Sequence, residues 1–355
     1  MNPAELWARL SADGFVDGAK PEPEPAGSPW FVRLMLGIAG WIGALFLLGF
    51  FAAALTSVVD NAASAMISGT ACCAGAYALF RTFAGQDLAE QFALAISLAG
   101  QALLVIGLAQ FFGPEQAMLC VAVALVEAVL VLVVPVFLHR LLASCGTAVA
   151  LALAVNQLSL HGLAAPLLCA ALAAIWLPPA RWAVGARLWR PIGYGLVFAL
   201  LSVETLRLFG AEALFGRAAD IGWMARYGPL IGRGLTGAVL VWAAVTLTLR
   251  EGLSPASRPF LFAVGGAVLA ATFCLPAPGL GSALLILLLG FAAGNRLLKA
   301  SGVLGLLGFT AHFYYSLHAT LLTKSGFLAA TGLCLLAASL ALRRGAVVQE
   351  EARHA

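Results

Sequence analysis

The sequence predicts an all-α protein, a polytopic bundle of about twelve transmembrane helices whose two termini both lie in the cytoplasm. Of its 355 residues 62% are hydrophobic and only 10% are charged, and the mean hydropathy is +0.98. Soluble domains carry about 25% charged residues, so a chain with only 10% has too few polar groups to cover a surface that faces water. The apolar residues fall into runs of about 17–25 residues, the length that spans a bilayer. The composition excludes a disordered chain, a nucleic-acid-binding domain and an ordinary cytoplasmic enzyme.

Residues 1–33 differ from the rest and are predicted to form a cytoplasmic tail. Asn2, Pro3 and Glu5 make a typical helix start, with a cap, a proline at the first helical position and an early acidic residue. Gly14 is expected to end this short amphipathic helix. The stretch 20–25 alternates proline with charged residues and is typical of a stiff extended spacer.

The membrane domain is predicted to cover 34–342, where charge, proline or glycine interrupts the apolar runs. The twelve predicted spans, in order, are 34–57, 62–80, 91–112, 116–138, 141–160, 162–177, 191–209, 230–249, 259–275, 280–294, 302–318 and 325–342. Between spans seven and eight, the segment 210–229 mixes charges with aromatic and aliphatic residues. This mixture favours a helix lying in the outer interface over an ordered loop folded across the bundle. Residues 343–355 are expected to form a cytoplasmic tail.

The distribution of basic residues supports this arrangement independently of apolar length. With the N-terminus inside, 15 of the 20 Lys and Arg residues fall on the cytoplasmic side. These are Arg9, Lys20, Arg33, Arg81, Arg140, Arg181, Arg187, Arg190, Arg250, Arg258, Arg296, Lys299, Arg343, Arg344 and Arg353. Cytoplasmic loops of membrane proteins collect Lys and Arg. An error in the helix count would move every later loop to the opposite side of the membrane, so the basic loops after that point would fall outside. No such change occurs along the chain.

A carboxyl and an amide are predicted to lie deep within the membrane. Glu127 is at the middle of span four, and Gln101 is at a similar depth in span three, which runs antiparallel to it. A polar group at this depth is costly and needs a partner or a cavity. One interpretation is a protonated Glu127 that is hydrogen-bonded to Gln101 and holds two helices in register. The other is a carboxylate that couples to a proton or a cation.

Further polar residues are predicted to gather in the outer half of the bundle. Glu204 and Arg207 are three residues apart on span seven, which places them on one helix face and favours an intrahelical ion pair. An arginine that binds an anion or a solute is the alternative. Arg233, Asn156 and Gln157 lie at the same side, whereas the inner halves are almost purely apolar. A deep cavity that opens to the outside explains this asymmetry better than a uniform pore.

The end of span eleven is the most unusual stretch of the chain. From Thr310 to Ser325 the sequence is rich in polar residues and tyrosine. Tyrosines and a lysine near a span's outer end also form the interfacial belt that anchors membrane helices, but His312 is one to two turns too deep for that role. We therefore expect a polar, outward-facing cavity. Its candidate residues are His312, Tyr314, Tyr315, Ser316, His318, Lys324, Glu204, Arg207 and Arg233.

The motif from Phe313 to Ser325, with Gly332 after it, resembles the C-terminal signature of an uncharacterised bacterial membrane family, domain of unknown function 4401. The stretch from Pro29 to Arg33, followed by Gly37, Gly40 and Trp41, is also similar to this family. The resemblance implies a multi-pass protein of the bacterial inner membrane. It also implies a partner, since similar proteins accompany a smaller membrane-anchored protein that bears a Gly-Asp-Tyr motif. His318 stands where the family pattern has an acidic residue, so no acid–lysine pair with Lys324 is expected.

The motifs of common enzyme classes are missing from the sequence. It contains no phosphate-binding G-x-x-x-x-G-K-[ST], no G-x-S-x-G, no H-E-x-x-H and no dinucleotide fingerprint. We therefore expect no catalytic residue, no cofactor and no bound metal. Most of the 38 glycines are expected to pack helices closely, as Gly290 and Gly294 would at four-residue spacing. Two functions remain open: a scaffold, sensor or partner in the membrane, which the sparse polarity at mid-depth favours slightly, and a transporter of a small solute or ion.

Overall fold

The computed structural model describes residues 3–14, scattered positions between 35 and 49, and the ranges 60–113, 116–208 and 222–316. Within these residues the secondary structure consists of α-helices and turns, and no strand is present. The described part of the chain has eleven helices with defined bounds: α1 Pro3–Ala12, α2 Ala62–Thr82, α3 Asp87–Phe112, α4 Ala117–Val133, α5 Phe137–Gln157, α6 Ala164–Trp176, α7 Pro179–Leu208, α8 Trp223–Arg250, α9 Arg258–Cys274, α10 Leu280–Ala292 and α11 Arg296–Ser316. The predicted all-α class is therefore confirmed.

Five of these helices are long and apolar enough to cross a membrane. They are α2, α3, α5, the part of α7 from Gly185 to Leu208, and α8. The helices α4, α6, α9 and α10 are also apolar but shorter, at 10–17 residues. A hydrocarbon core of about 30 Å needs about 20 helical residues, so the long helices match it directly. The lengths and compositions agree with a helical membrane protein.

Each predicted span from two to eleven corresponds to one helix, but the bounds of six helices differ by four residues or more. α3, α5 and α11 begin four to six residues earlier than predicted, and α4 ends five residues earlier. The starts of α7 and α8 differ most. α7 begins at Pro179 rather than at 191, and it bends at Gly185, where φ is −133° and ψ is 25°. α8 begins at Trp223, so Trp223–Pro229 are its first turns and not a segment separate from span eight. The apolar pattern marks only the hydrocarbon-facing part of a helix, because backbone hydrogen bonds continue into the polar interface. Residues 209–221, span twelve and 343–355 lie outside the described residues.

The N-terminal helix lies where the sequence predicts it. α1 carries Glu5 in its first turn and Arg9 in its last, which suits the helix dipole at both ends. Its C-terminal end is closed by a hydrogen bond of 2.9 Å from the Asp13 amide to the Arg9 carbonyl. Gly14 follows at φ +71°, a left-handed conformation that glycine adopts without strain. The predicted stop at Gly14 is confirmed.

The chain forms two compact units, 1–107 and 108–355. In the first unit, α2 and α3 approach each other through glycines. A Cβ at Gly69 would lie 2.7 Å from the Gly100 carbonyl oxygen. Likewise, a Cβ at Gly100 would lie 2.7 Å from the Gly69 carbonyl oxygen. Near this crossing, the Cys73 thiol donates to the Ser97 carbonyl over 3.7 Å. These two helices therefore pack with their backbones nearly in contact, as small residues allow in membrane proteins.

The second unit has one large core, to which α5, α6, α7, α8 and α10 all contribute. Its fully buried large side chains include Leu172 on α6, Leu200 on α7 and Ile286 on α10. Buried alanines such as Ala173 and Ala199 lie among them and keep the helices close together. Neighbours along the chain also pack in pairs, namely α4 with α5, α8 with α9, and α10 with α11.

The two glycines of the Gly290–Gly294 pattern have different roles. A Cβ at Gly290 would lie 2.7 Å from the Lys299 backbone nitrogen, so this glycine allows α10 and α11 to pack closely. Gly294 has φ +62° and nothing within 4 Å of its Cβ position. The prediction that Gly294 packs helices is therefore wrong, because its place just after α10 requires the left-handed conformation of a helix end.

Candidate functional site

The predicted outer-half acid, Glu204, lies in a buried polar network of the second unit. It stands on α7, and its side chain is 6% exposed. Its Oε1 accepts a hydrogen bond of 2.6 Å from the hydroxyl of Ser282, in the first turn of α10. The thiol of Cys169 on α6 donates to the same hydroxyl oxygen over 3.7 Å, and the buried Thr236 on α8 interacts with this thiol. Four helices therefore contribute side chains to one buried polar network.

Two arginines flank the network. Arg207, one turn after Glu204, donates from Nη2 to the Asn156 Oδ1 over 3.0 Å, and the Asn156 amide donates to the Ala152 carbonyl over 2.8 Å. Arg233 on α8 donates to the Leu275 carbonyl over 2.7 Å. Both arginines lie close enough to Glu204 for their charges to act on it. The intrahelical ion pair between Glu204 and Arg207 stays a prediction, and the arginine side chains connect this region to α5 and to the end of α9.

The network compensates charge inside the bundle. A buried charge without a partner is costly, whereas one that is paired and hydrogen-bonded can be tolerated. Glu204 has a hydrogen-bond donor and two nearby guanidinium groups, and Asn156 and Ser282 are themselves bonded to helix neighbours. The arrangement can hold α5, α6, α7, α8 and α10 together at one end.

Sequence reasoning identified Glu204, Arg207, Arg233 and Asn156 but missed Ser282, Thr236 and Cys169. A single serine, threonine or cysteine costs little within a membrane helix and therefore attracts no attention in a sequence. The one property of these residues that the sequence does offer is their predicted depth in the membrane. Under the predicted topology, Thr236 and Ser282 lie in the outer halves of spans eight and ten, whereas Cys169 lies at the middle of span six.

The polar end of α11 contains the other predicted site residues. His312 and Tyr314 are partly buried, whereas Ser316 is exposed and Tyr315 is 80% exposed. The Tyr314 and Tyr315 rings meet edge to face, with centroids 5.4 Å apart. His318 and Lys324 lie outside the described residues. The proposed polar cavity stays a prediction, because it depends in part on those residues.

The intramembrane pair of Glu127 and Gln101 also stays a prediction, because the two residues belong to different compact units. Gln101, on α3, donates to the Ser97 hydroxyl over 3.3 Å. Glu127, on α4, is 6% exposed and lies against Gly146 of α5, where a Cβ would be 3.3 Å from the glutamate Cδ. Within the part of the chain that the structure describes, the Glu127 Oε2 has no hydrogen-bond partner.

The family model for a domain of unknown function, DUF4401, matches residues 29–345. The chain belongs to the DUF4401 family. The match covers the whole predicted membrane domain and confirms the resemblance seen in the sequence. No curated protein and no solved structure matches the chain.

Arginines of this DUF4401 protein cap the C-terminal ends of neighbouring helices. Arg140 on α5 donates from Nε to the Val131 carbonyl in the last turn of α4, over 3.0 Å. Arg250 donates to the carbonyl of Leu177, the residue that ends α6. Arg233 makes the same kind of contact with Leu275, which ends α9. Terminal carbonyls lack partners within their own helix and carry the negative end of its dipole, so each arginine satisfies both needs.

Proposed function

We propose that this DUF4401 protein is a non-enzymatic component of the bacterial inner membrane that acts as a partner or scaffold for another membrane protein. In this proposal it crosses the membrane twelve times with both termini in the cytoplasm. It acts through the outward-facing polar region at the end of α11. One observation carries the proposal: Glu204, Arg207 and Arg233 are bonded to the protein's own helices, whereas Tyr315 projects from α11.

The buried network supports a rigid outer half. Its charged side chains are bound to groups on neighbouring helices, so using them to bind a solute would require these bonds to break. Two cavities in the second unit, of about 510 and 400 Å³, are instead lined mainly by alanine, leucine and valine. A protein built in this way is suited to present a fixed surface.

The exposed end of α11 supports contact with a partner. Tyrosine offers a large, stiff contact area together with a hydroxyl group, and for this reason it is enriched in protein interfaces. The partner that the family resemblance implies is the smaller membrane-anchored protein with a Gly-Asp-Tyr motif. An extracytoplasmic segment of such a protein could reach the outer end of α11.

Site-specific photocrosslinking in cells tests this proposal. Tyr315 is replaced by benzoylphenylalanine, which keeps the aromatic ring of tyrosine and adds a benzoyl group at the position of the hydroxyl, and Leu307 is replaced in the same way as a matched control. Leu307 is 63% exposed on the same helix but lies deeper in the predicted span. We expect the probe at Tyr315 to give one discrete adduct that contains the Gly-Asp-Tyr protein, and the probe at Leu307 to give no protein adduct.

Two outcomes would contradict the partner proposal. One is an absence of any protein adduct at Tyr315 in cells that express both proteins at native levels. The other is equal adduct formation at Tyr315 and Leu307, which would indicate collisions in the bilayer rather than a defined interface.

A transporter of a small solute or ion, with an outward-open cavity, is the second candidate function. The buried Glu127 favours it, because transporters place coupling carboxyls within their helices. Thermal unfolding of the purified protein in mild detergent, against a panel of ions and small solutes, distinguishes the two. A solute that raises the midpoint in the wild type but not in Glu127→Gln would support transport.

A further inference from the structure

We propose that Glu127 is a proton-binding site that is neutral in the resting protein and is reached from the bilayer through an apolar cavity. This inference depends on neither of the two functions above, since it concerns the state and accessibility of one carboxyl group. It follows from a contrast between the two buried glutamates of the second unit.

Among the residues that the structure describes, none near Glu127 balances a negative charge. It lies on α4, which packs against α5, and its carboxyl group faces the bare backbone of Gly146. Among the described residues, Cys145 is the ionisable side chain that lies close to it. Arg140, also on α5, is turned toward the Val131 and Arg187 carbonyls. An ionised carboxylate in such a place would be expensive, and binding a proton removes that cost.

The unpartnered oxygen is consistent with the neutral form. An ionised carboxylate accepts hydrogen bonds at both oxygens, and buried ones are usually supplied with several donors. Glu127 Oε2 has no donor within the described residues. For a protonated carboxyl group the missing donor costs much less free energy, because the group is uncharged and one of its oxygens carries the proton itself.

A cavity provides a path from the bilayer. Ala128 and Thr147, the residues that follow Glu127 and Gly146 in the chain, both line the cavity of about 510 Å³. Leu132, Leu151 and Leu167 also line it and are exposed, so the cavity reaches the protein surface. Glu127 itself does not line the cavity, so a lipophilic reagent dissolved in the membrane would reach the helix turn beside this carboxyl group and approach it from there.

Glu204 is a matched control within the same unit. It is as deeply buried as Glu127, but it accepts a hydrogen bond from Ser282, and two arginines lie near it. Burial favours the neutral form of Glu204 as well, but the Ser282 hydroxyl and the two guanidinium groups act in the opposite direction, and Glu127 has no such groups among the described residues. The proposal therefore predicts different chemistry for two glutamates of equal burial.

Dicyclohexylcarbodiimide, a lipophilic reagent that requires a protonated carboxyl, distinguishes the two sites. The carboxyl proton moves to a carbodiimide nitrogen, and the carboxyl oxygen bonds to the central carbon to give an O-acylisourea. A shift of the acyl group from oxygen to nitrogen then leaves a stable N-acylurea with the mass of one added carbodiimide. If the Cys145 thiol captures the acyl group first, dicyclohexylurea leaves, and a thioester remains with the net loss of one water.

The experiment treats the full-length protein in native membranes and maps the adducts by mass spectrometry of its peptides. We expect either product at Glu127, and labelling of Glu204 that is lower by about tenfold or more, the ratio given by one pH unit of difference in protonation. A water-soluble, charged carbodiimide should label neither site. In Glu127→Gln the adduct on this peptide should disappear, and an infrared band from a protonated carboxyl should be lost from the purified protein.

Three results would overturn the proposal. Equal labelling of Glu127 and Glu204 would show that burial alone determines reactivity. Labelling of Glu127 by the charged reagent would place the carboxyl group in water. An unlabelled Glu127 in the wild type would exclude either the neutral state or the path from the bilayer, and this result needs no variant to fold.

Discussion

At the scale of single residues, the polar groups that matter in this DUF4401 protein are those that satisfy one another. Glu204 depends on Ser282, whose hydroxyl also accepts from Cys169. Removing one partner from a buried group leaves the other without its hydrogen bond, which costs more than the bond itself contributes. Small polar residues on neighbouring helices therefore determine whether an intramembrane charge can be accommodated.

Ser282→Ala tests the buried hydrogen bond to Glu204. We expect a loss of about 1–3 kcal/mol in the free energy of unfolding, because the carboxyl group loses its donor inside the bundle. Thermal unfolding of the purified protein in mild detergent measures the change. Thr272→Val is the matched control, since that hydroxyl is exposed and bonds only to the Val268 carbonyl of its own helix. Equal loss in both variants would contradict a special role for Ser282.

The candidate site could be predicted from the sequence only where charge drew attention to it. Glu204, Arg207 and Arg233 were recognisable because charged residues are rare in an apolar span. Their hydrogen-bond partners could not be recognised in the sequence. Ser282 reaches Glu204, and the Leu275 carbonyl reaches Arg233, only when helices that are distant in sequence pack together. A main-chain carbonyl carries no sequence signal at all.

At the scale of helices, close approach depends on particular glycines and not on glycine in general. On α2, Gly69 lies against the Gly100 carbonyl of α3, whereas Gly75 of the same helix has nothing within 4 Å of its Cβ position. The sequence predicted the bounds of α2 well, since an apolar run flanked by polar residues marks a membrane helix. It could not predict which face of α2 meets α3, because an apolar surface covers the whole helix.

Gly69→Ala tests the contact between α2 and α3. The added methyl group would lie 2.7 Å from the Gly100 oxygen, so one backbone must shift. We expect a loss of about 1–3 kcal/mol, as overpacking typically causes. Gly75→Ala adds the same methyl group to open space on the same helix and should be neutral or slightly stabilising, because alanine favours helix. The unfolding midpoints of the two variants give the answer, and a reversed order would rule out the contact.

Arg250 and Arg258 separate the role of arginine in topology from its role as a helix cap. Both lie in the predicted cytoplasmic segment between spans eight and nine, so each contributes the same charge to that segment. Of the two, only Arg250 caps the end of α6, through the Leu177 carbonyl. Arg258 is exposed at the start of α9, where its positive charge lies at the positive end of that helix's dipole.

We expect Arg250→Gln to lower the free energy of unfolding by about 1 kcal/mol, because a charged donor to a helix end is lost. Arg258→Gln should leave it unchanged or raise it slightly. Thermal unfolding of the purified variants in detergent measures both. If the two changes had the same effect, charge in the loop would matter and the cap would not.

At the scale of the whole molecule, the number of membrane crossings determines on which side the polar end of α11 lies. Under the predicted topology α11 runs outward, so His312 and Tyr315 end at the outer face. The C-terminus can then return to the cytoplasm only if 325–342 crosses the membrane. The pair Arg343 and Arg344 directly after this apolar run favours that crossing, because basic residues hold a helix end inside.

Reporter fusions at two positions test this last crossing. Alkaline phosphatase folds to its active form outside the cytoplasm, and green fluorescent protein fluoresces inside it. We expect phosphatase activity from a fusion after Ser316 and fluorescence from a fusion after Ala355, since one span would separate the two points. Replacing Arg343 and Arg344 with glutamine should weaken this preference, because the charge that retains the C-terminal end inside is removed. Phosphatase activity at both positions would mean that 325–342 does not cross, and fluorescence at both would place α11 in the opposite direction.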